Sequence, residues 1–449
     1  MSTPKIKAPR GTFDVLGPQA NARTTLETRA RAILEGAGYE RIETPTFEAT
    51  ELFARAVGES TDIVRKEMFT LHDGAGRSLT LRPEGTAPVC RAYVEHGMHK
   101  RRQPVKLWYL SSFFRHERAQ AGRYRQFWQV GAEALGSEDP ALDAESIALL
   151  AGLLTQMGVR DVRLRLSSLG SAGSRELYRE RLKAHLRAHE RSLSEDVRSR
   201  IDLNPLRAFD SDHEGTRRAM ASAPRLLDHL SHEDAEHFAQ VRALLEEANV
   251  VYEVDSTLVR GLDYYTRTVF EFTSDALGAQ SGVGGGGRYD GLIEELGGPA
   301  TPGIGWAAGI ERILLAGEES EIVPQAAGAG PLELFVAFAG EPAPPGATGG
   351  QDLEMSPPSG GPAVGERARS RRVAFGLLAK ARSAGVTAQM ELGGRSLKGQ
   401  LGYADALGAR YVAIVEGAEC VLKDMQGAGQ HRIATDTVVH AVLRGLREL

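Results

Sequence analysis

Residues 105–134 read VKLWYLSSFFRHERAQAGRYRQFWQVGAEA. The first ten and the last nine are rich in aromatic and β-branched residues, and they flank a polar loop, residues 117–125. Such runs favour β-strands, and two of them around one charged loop predict an antiparallel pair with its tip in solvent. Arg115 and Glu117 would share one strand face, where a buried arginine needs an anion such as phosphate or carboxylate. A salt-bridged surface hairpin explains the same residues and is favoured on this segment alone.

On the N-terminal side, the sequence predicts a helix and then a hairpin. Residues 19–37 favour a helix that ends at glycines, and residues 68–71 and 78–81 flank the turn signal DGAG at 73–76. The segment LRPEGT follows at 81–86. It places Glu84 and Thr86 where they could hold the ammonium group of a ligand, although an ordinary turn is favoured in isolation.

On the C-terminal side, residues 170–249 have helical character. Cations recur at every fourth position of one predicted helix, namely Arg175, Arg179, Lys183, Arg187 and Arg191. A solvated helix face, balanced by neighbouring glutamates, is favoured over an RNA-facing patch. Strand signals return over residues 250–273.

Three further segments combine glycines with polar side chains: VRGLDYYTRT at 259–268, GGGGRYDG at 284–291 and GIGWAAGIER at 303–312. The first groups tyrosine hydroxyls with guanidinium groups, which suits a polar ligand with a negative end. In the second, glycines allow the backbone to approach a ligand, and a helix predicted over 289–296 offers free N–H groups. In the third, small residues allow close strand-to-helix packing. Each segment also has a structural alternative that remains open. The first could be an edge strand, the second a linker and the third a plain packing motif.

Residues 341–365 are rich in Pro, Gly and Ser without periodicity, which predicts a flexible loop. Around this loop the sequence predicts strands at 332–338, 386–392 and 411–415, and helices at 371–383, 397–407 and 437–446. This βαβαβ rhythm predicts a separate small α/β domain.

Length and composition predict a soluble protein of two or three domains in a reducing cytoplasm. The 449 residues contain no apolar run near the ~18 needed to span a membrane, and no secretory signal. The two cysteines, Cys90 and Cys420, form neither a CxxC pattern nor a disulfide framework. The net charge of −5 leaves nucleic-acid binding open, because lysines and arginines can gather on one face.

In this order, the segments together resemble the motifs of one enzyme class, the class II aminoacyl-tRNA synthetases. The segments that resemble motifs 1, 2 and 3 of that class are residues 38–45, 114–133 and 303–315. Residues 258–271 and 284–291 resemble two signatures peculiar to histidyl-tRNA synthetases, and PRGT at 9–12 and LRPEGT fit the same family. The likeness covers nearly the whole chain except residues 341–365.

The resemblance implies an α+β fold. A catalytic domain over residues 1–325 would contain a six-stranded antiparallel sheet with flanking helices and a helical insertion at 171–249. Residues 330–449 would form a C-terminal α/β anticodon-binding domain with a flexible Pro/Gly-rich loop at 340–366. ATP would activate L-histidine to histidyl-adenylate, and the histidyl group would pass to tRNA(His). The resemblance also implies a homodimer and Mg²⁺ that accompanies ATP, with no tightly bound metal and no membrane contact.

The resemblance also assigns residues to these steps. The catalytic arginines would be Arg115, Arg260 and Arg312, and ATP would be bound by Arg115, Glu117, Arg123 and Arg312. Histidine would be bound by Glu84, Gly85, Thr86, Gln129, Glu133, Arg260, Tyr264, Tyr265 and Tyr289. Among these, Glu133 and Tyr265 would hold the two imidazole nitrogens, while Gln120 would contact the acceptor end of tRNA. Cationic groups are required because an anionic carboxylate must approach an anionic triphosphate.

A few positions depart from the family pattern. Ala119 and Ala121 stand where proline and lysine are usual, Trp128 where histidine is common and Thr266 where asparagine is common. These departures spare the residues assigned to chemistry, but they bear on contacts to the acceptor end of tRNA.

Two rival functions share the fold that the resemblance implies. Histidine-sensing regulatory subunits of ATP phosphoribosyltransferase typically lack the tail and degrade the second histidine-specific motif. This chain keeps the tail, Arg260 and Arg288, which weighs against that function. The other rival is an RNA-binding synthetase-like module without catalysis, against which the intact arginines of the ATP site weigh.

Overall fold

The computed structural model describes residues 6–58, 61, 63–117, 120, 122–258, 262, 264–318, 332–338, 362–392, 395–427 and 429–447. The chain divides into two compact units, Met1–Ala326 and Ala327–Leu449. Each unit has its own hydrophobic cores, and none of these cores includes residues of both units.

The first unit contains strands and helices in alternation. The strands are β1 (Glu40–Arg41), β2 (Phe47–Ala49), β3 (Phe69–His72), β4 (Ser78–Leu81), β5 (Val105–Phe114), β6 (Gln126–Leu135), β7 (Val162–Ser168), β8 (Glu253–Val254), β9 (Thr266–Ser274), β10 (Gly282–Arg288) and β11 (Gly303–Gly309). The helices are α1 (Pro18–Gly36), α2 (Thr50–Val57), α3 (Thr86–Glu95), α4 (Pro140–Gln156), α5 (Ala172–Ala188), α6 (Glu195–Arg200), α7 (Glu214–Ala221), α8 (His232–Glu247), α9 (Leu292–Glu295) and α10 (Ile310–Glu318).

One large sheet organises this unit, with the strand order β1-β5-β6-β11-β10-β9-β7-β8. The six inner strands pair antiparallel, which confirms the predicted pair β5 and β6, whereas the two-residue strands β1 and β8 add to the edges in parallel. The sheet therefore has eight strands, two more than the six expected. A separate small sheet has the order β2-β4-β3.

Helices cover both faces of the large sheet. Successive side chains of a strand point to opposite faces, so neighbouring residues of β5 pack in different cores. Trp108 packs in the core that α1, α4, α8 and α10 form on one face. Its neighbour Tyr109 packs in the core that α2, α3 and α5 form on the other face. Both faces are thus buried, as expected for two helical layers around one sheet.

The glycine run of GGGGRYDG belongs to strand β10 in the middle of the sheet, a strand that the sequence analysis did not predict and that rules out the linker alternative. Gly286 shows why, because an added β-carbon would lie 1.9 Å from the carbonyl oxygen of Gly305 on β11. Glycine permits this close approach of strands. The helix that follows is the single turn α9, so it is shorter than the predicted 289–296. The strand predicted over 250–273 is likewise divided into β8 and β9.

The insertion contains helices α5 to α8, and four cations of its basic row have hydrogen-bond or ion-pair partners within the protein. Arg175 donates a hydrogen bond to the carbonyl oxygen of Tyr265, and Arg179 donates to the carbonyl oxygen of Leu203 at 2.8 Å. Lys183 and Arg187 pair with Glu180 and Asp202 at 2.6 and 2.5 Å. These contacts favour the interpretation as a balanced helix face.

The second unit is an α/β layer structure. Its strands are β12 (Leu334–Phe338), β13 (Ala388–Met390), β14 (Tyr411–Glu416), β15 (Glu419–Asp424) and β16 (Gln430–Ala434), and its helices are α11 (Pro362–Ser383), α12 (Leu397–Ala406) and α13 (Val438–Arg447). The sheet order is β13-β12-β14-β15-β16, with parallel pairs around β12 and an antiparallel hairpin β15–β16 that the sequence analysis missed.

The predicted loop at 340–366 overlaps the start of α11, which begins at Pro362, so its last residues are helical. Residues 340–361 lie outside the described residues. Helices α11 and α13 pack on one face of the sheet and α12 on the other. Among all helices of the described residues, none is long and apolar enough to cross a bilayer.

Candidate active site

One cavity of the first unit lies on the sheet face that carries Tyr109. Strands β5, β6, β9, β10 and β11, the β5–β6 loop and the start of α3 contribute to its wall. The wall includes ten predicted site residues: Glu84, Gly85, Thr86, Arg115, Glu117, Arg123, Gln129, Tyr264, Tyr265 and Arg312. Four others lie elsewhere. Glu133 and Tyr289 lie behind the wall, Gln120 is exposed outside it, and Arg260 lies outside the described residues.

Cations gather at the end of the cavity next to the β5–β6 loop. Arg115, just beyond β5, donates from Nε to the carbonyl oxygen of Pro83 at 2.9 Å, and its guanidinium lies 5.3 Å from the ring centroid of Phe127. Glu117 lies 3.9 Å from the Nη1 atom of Arg115 and 3.2 Å from the Nη1 atom of Arg123. The loop thus presents two arginines around one carboxylate.

Arg312 adds a third cation from the first turn of α10. Its Nε atom donates to the carbonyl oxygen of Gly122 at 3.1 Å, and its Nη1 atom donates to the carbonyl oxygen of Gly282. Burial, together with the charge of Arg123, lowers the pKa of Arg312. A bound anion would offset the electrostatic repulsion among these arginines in the partly buried wall.

The start of α3 forms another part of the wall. The carboxylate of Glu84, only 4% exposed, accepts hydrogen bonds from the backbone N–H groups of Thr86 at 2.7 Å and Ala87 at 3.0 Å. Burial raises the pKa of Glu84, and these N–H groups and Arg115 oppose the rise. Opposite, Oε1 of Gln129 is buried, and no donor among the described residues reaches it. A ligand N–H group would satisfy this acceptor.

Behind the wall, the carboxylate of Glu133 is fully buried and surrounded by hydroxyl groups. Oε1 accepts from Thr86 Oγ1 at 2.8 Å and from Tyr109 at 3.3 Å, and Oε2 accepts from Tyr289 at 2.5 Å. Burial raises the pKa of Glu133 to about 8, although the hydroxyl donors oppose the rise. The hydroxyl of Thr86, expected near an amino group, is therefore directed to Glu133.

Three glycines leave room for this cluster. An added β-carbon at Gly305 would lie 1.7 Å from Oε2 of Glu133. At Gly85 and Gly131 it would lie 2.3 Å from the phenol ring of Tyr109. The side chains of Glu133 and Tyr109 therefore pack directly against the backbone of neighbouring segments, and this close packing fixes their position.

Tyr264 and Tyr265 complete the tyrosine-rich part of the wall. Both are buried, their ring centroids are 4.7 Å apart, and Tyr264 meets Tyr289 edge-on at 5.8 Å. Arg175 of the insertion donates to the carbonyl oxygen of Tyr265. The insertion thus contacts the segment that carries both tyrosines.

The prediction from sequence missed Tyr109 and Glu271. Tyr109 sits among apolar residues of β5, and the available signal is that a buried phenol needs a hydrogen-bond partner. Glu271 lines the cavity from β9 and pairs with Arg165 at 3.3 Å. Among the described residues, no three His, Cys, Asp or Glu side chains are grouped closely enough to hold a metal ion.

An antiparallel sheet between helical layers, with arginines from a strand–loop–strand motif and from the helix after the last sheet strand, defines the fold of a class II aminoacyl-tRNA synthetase. The family model described as histidyl-tRNA synthetase matches residues 11–313. The chain belongs to the histidyl-tRNA synthetase family.

Relatives and solved structures agree with this assignment. The chain is 46% identical, over 99% of each chain, to a histidine–tRNA ligase of Halorhodospira halophila. Its structure is similar to apo histidyl-tRNA synthetase of S. aureus, with a TM-score of 0.77, 34% identity, and coverage of 98% of this chain and 100% of that one. A Bacillus halodurans structure titled as an ATP phosphoribosyltransferase regulatory subunit/histidyl-tRNA synthetase shares the fold, with a TM-score of 0.60, 22% identity, and coverage of 92% and 99%.

Proposed function

We propose that the chain is a histidine–tRNA ligase, which activates L-histidine with ATP and transfers it to tRNA(His). The observation that carries the proposal is one cavity with two chemically different ends. Arg115, Arg123 and Arg312 line one end, and the wall at the other end rests on the hydroxyl cluster of Glu133. An anionic nucleotide and a small polar amino acid fit these ends side by side.

In the first step, a carboxylate oxygen of histidine attacks the α-phosphorus of ATP. The bond from that phosphorus to the bridging oxygen breaks, and pyrophosphate leaves with its electron pair. Arg115 and, by family resemblance, Arg260 stabilise the negative charge at the α-phosphate, and Arg312 holds the γ-phosphate. Mg²⁺ would arrive with ATP, and the carboxylates of Glu117 and Glu271 in the cavity wall are oxygen ligands of the kind that it prefers.

Histidine selection rests on the other end of the cavity. Glu84, Gly85, Thr86 and Gln129 would surround the amino group, with the free acceptor of Gln129 as its strongest support. Glu133 and Tyr265 would hold the imidazole nitrogens, while Tyr264 and Tyr289 enclose the ring. Because Glu133 already accepts from three hydroxyls, the imidazole N–H would replace one of the donors on Oε1.

The second step transfers the histidyl group to the terminal adenosine hydroxyl of tRNA. Gln120, exposed at the tip of the β5–β6 loop, would contact the acceptor end. We propose that residues 1–325 form the catalytic domain and residues 330–449 the anticodon-binding domain. The proposal includes a homodimer with residues 38–45 at its interface, and a cytoplasmic location.

Histidine-dependent ATP–pyrophosphate exchange by the purified chain tests the activation step. Arg115→Ala and Arg260→Ala should each lower the exchange rate by ~10²–10³, since each removes a donor to the developing charge. Exchange that requires histidine and falls in both variants supports the proposal. Histidine binding without exchange would favour the regulatory-subunit function instead.

A further inference from the structure

The helical insertion contacts the segment that carries the two cavity tyrosines, and we call residues 264–267 the tyrosine segment. In the first turn of α5, the guanidinium of Arg175 donates a hydrogen bond to the carbonyl oxygen of Tyr265. A hydrogen bond to the main chain constrains the whole residue, including the ring that lines the active-site cavity. Arg175 is not part of that wall, so it can affect a ligand there only through the tyrosine segment.

A second cavity, of about 360 Å³, lies between the insertion and the tyrosine segment. Ser171 and Arg175 line it from the insertion, and Tyr264 and Thr266 line it from the segment. Tyr264 thus lies between the second cavity and the active-site cavity. Because atoms that line a cavity lack packing contacts on that side, the segment has room to shift, and polar contacts across the gap must hold it.

The tyrosine segment ends at a strained residue. Arg267, two positions after Tyr265, has a φ of 44°, a left-handed conformation that residues with a side chain rarely adopt. A register shift between β9 and β10 places this residue in a bulge of β9. Its N–H group donates to the carbonyl oxygen of Gly170 at 2.8 Å, and its carbonyl oxygen accepts from the N–H group of Leu169 at 2.7 Å. Strain of this kind persists only where surrounding contacts hold the conformation, and these two bonds lead directly into the insertion.

The side chain of Arg267 is held by helix α8 of the insertion. Its Nη2 atom donates to Glu233 at 2.6 Å, and its Nε atom lies 3.4 Å from Oδ1 of Asp234. Asp234 is only 1% exposed, and its Oδ2 atom accepts from the N–H and hydroxyl groups of Ser171 at 3.0 and 2.9 Å and from the hydroxyl of Ser174 at 2.6 Å. One carboxylate therefore joins the beginnings of α5 and α8 to the strained residue of the tyrosine segment.

We propose that Arg175 and Asp234 are positioning residues for histidine binding, through which the insertion holds Tyr264 and Tyr265 in place. Arg175 fixes the main chain of Tyr265, and Asp234 fixes the strained residue that follows it. The inference rests on the proposed function and deepens it, because it gives the insertion a part in recognition of the amino acid. If the contacts only stabilised the insertion, their loss would lower the Tm without a selective effect on histidine.

The affinity of the purified full chain for histidine, measured by equilibrium dialysis with labelled histidine, tests this proposal. Arg175→Gln should raise the Kd for histidine about tenfold or more, the effect that one hydrogen bond from a charged group can account for. The KM for ATP in histidine-dependent exchange should be nearly unchanged, because the arginines at the ATP end of the cavity lie on other elements. Arg175→Lys keeps a cationic donor and should recover part of the affinity for histidine.

Arg179→Gln is the matched control. Arg179 lies one turn further along α5 and also donates to a carbonyl oxygen, but its acceptor, Leu203, belongs to the insertion itself. This variant removes the same kind of bond without touching the tyrosine segment, so it should bind histidine like the wild type. Asp234→Asn gives an independent test, and it applies even if Arg175→Gln does not fold. It keeps the shape of the side chain but removes the charge beside Arg267, and it should weaken histidine binding with little change in the KM for ATP.

Three outcomes would overturn the proposal. They are wild-type affinity for histidine in Arg175→Gln and Asp234→Asn, equal losses in Arg175→Gln and Arg179→Gln, and losses that affect histidine and ATP equally. Failure of the proposed function gives a different result, because a wild-type chain that binds histidine without exchange is no ligase, yet the comparison of histidine affinities among the variants still decides the role of Arg175.

Discussion

The side chain of Glu133 lies directly over Gly305 of the neighbouring strand, and its carboxylate meets hydroxyl groups on both oxygens. Glycine at position 305 therefore permits this position of Glu133, because any side chain there would collide with the carboxylate. Gly305 is also part of the cavity wall, so a group added there would meet Glu133 from the substrate side.

Gly305→Ala should damage histidine recognition more than ATP recognition. The new β-carbon would lie 1.7 Å from Oε2 of Glu133, so the carboxylate must move. A displacement near 1 Å can cost about 10²-fold in rate, so we expect that loss in kcat/KM for histidine, with KM for ATP nearly unchanged. Steady-state exchange kinetics measure both constants. Gly152→Ala, at a helix position where no atom lies within 4 Å of the new carbon, is the control, and equal effects in the two variants would contradict the prediction.

The burial of Glu133 also predicts how stability depends on pH. Its pKa is raised from 4.5 to about 8, mainly by burial, so the fold favours the neutral acid. This contribution to stability is fully present below pH 4.5 and is lost as the pH rises through about 8. We expect the wild-type Tm to fall relative to that of Glu133→Gln between pH 5 and pH 9, because glutamine does not titrate. Parallel Tm–pH curves for the two proteins would contradict this.

At the scale of single elements, strand β10 is joined to helix α4 by a buried ion pair. Arg288 at the end of β10 donates from Nε to Oδ2 of Asp143 at 3.0 Å, and its Nη2 atom lies 2.7 Å from Oδ1. The same guanidinium donates to the carbonyl oxygens of Ser137 and Asp139. Tyr289, the next residue, carries the hydroxyl that bonds Glu133. The ion pair therefore holds the strand end that positions part of the site.

Arg288→Met should destabilise the first unit by ~3–5 kcal/mol, because it leaves the carboxylate of Asp143 buried without its partner. The double variant Arg288→Met/Asp143→Leu should recover much of that loss, since neither charge then remains. Urea unfolding curves measure both changes. The surface pair Arg163–Asp275 is the comparison, and Arg163→Gln should cost less than ~1 kcal/mol. A double variant less stable than the single one would contradict the prediction.

Sequence patterns predicted those elements whose side chains carry a clear signal, either in composition or in periodicity. The pair β5 and β6 was predicted because both runs are rich in aromatic and β-branched residues and flank a charged loop. Strand β10 was not predicted, because five of its seven residues are glycines without side chains to show a period. The hairpin β15–β16 was missed, since its outer strand is exposed at nearly every position and lacks an apolar face. Of the site, the sequence predicted ten residues of the cavity wall, but it missed Tyr109 and Glu271 and did not predict that Glu133 lies behind the wall.

At the scale of the molecule, chemistry and charge are distributed unequally between the two units. Every described residue of the cavity wall belongs to Met1–Ala326, whereas the exposed cations Arg371, Arg372 and Arg382 of helix α11 belong to Ala327–Leu449. The net charge of −5 does not indicate where cations cluster, because it is a sum over both units. The motifs indicated one family because they occur in a fixed order along the chain.

A chain that ends at Ala326 should therefore separate the two halves of the reaction. The first unit keeps its own two cores and every described residue of the cavity wall, so we expect it to fold and to catalyse histidine-dependent exchange within about tenfold of the full chain. Aminoacylation should fall much further, and through KM for tRNA, because the proposed anticodon-binding domain is lost with the second unit. Exchange and aminoacylation assays on the same preparation measure both rates, and circular dichroism establishes folding. If a folded fragment lost exchange and aminoacylation equally, residues of the second unit would be needed for activation itself, and activation would not be confined to the first unit.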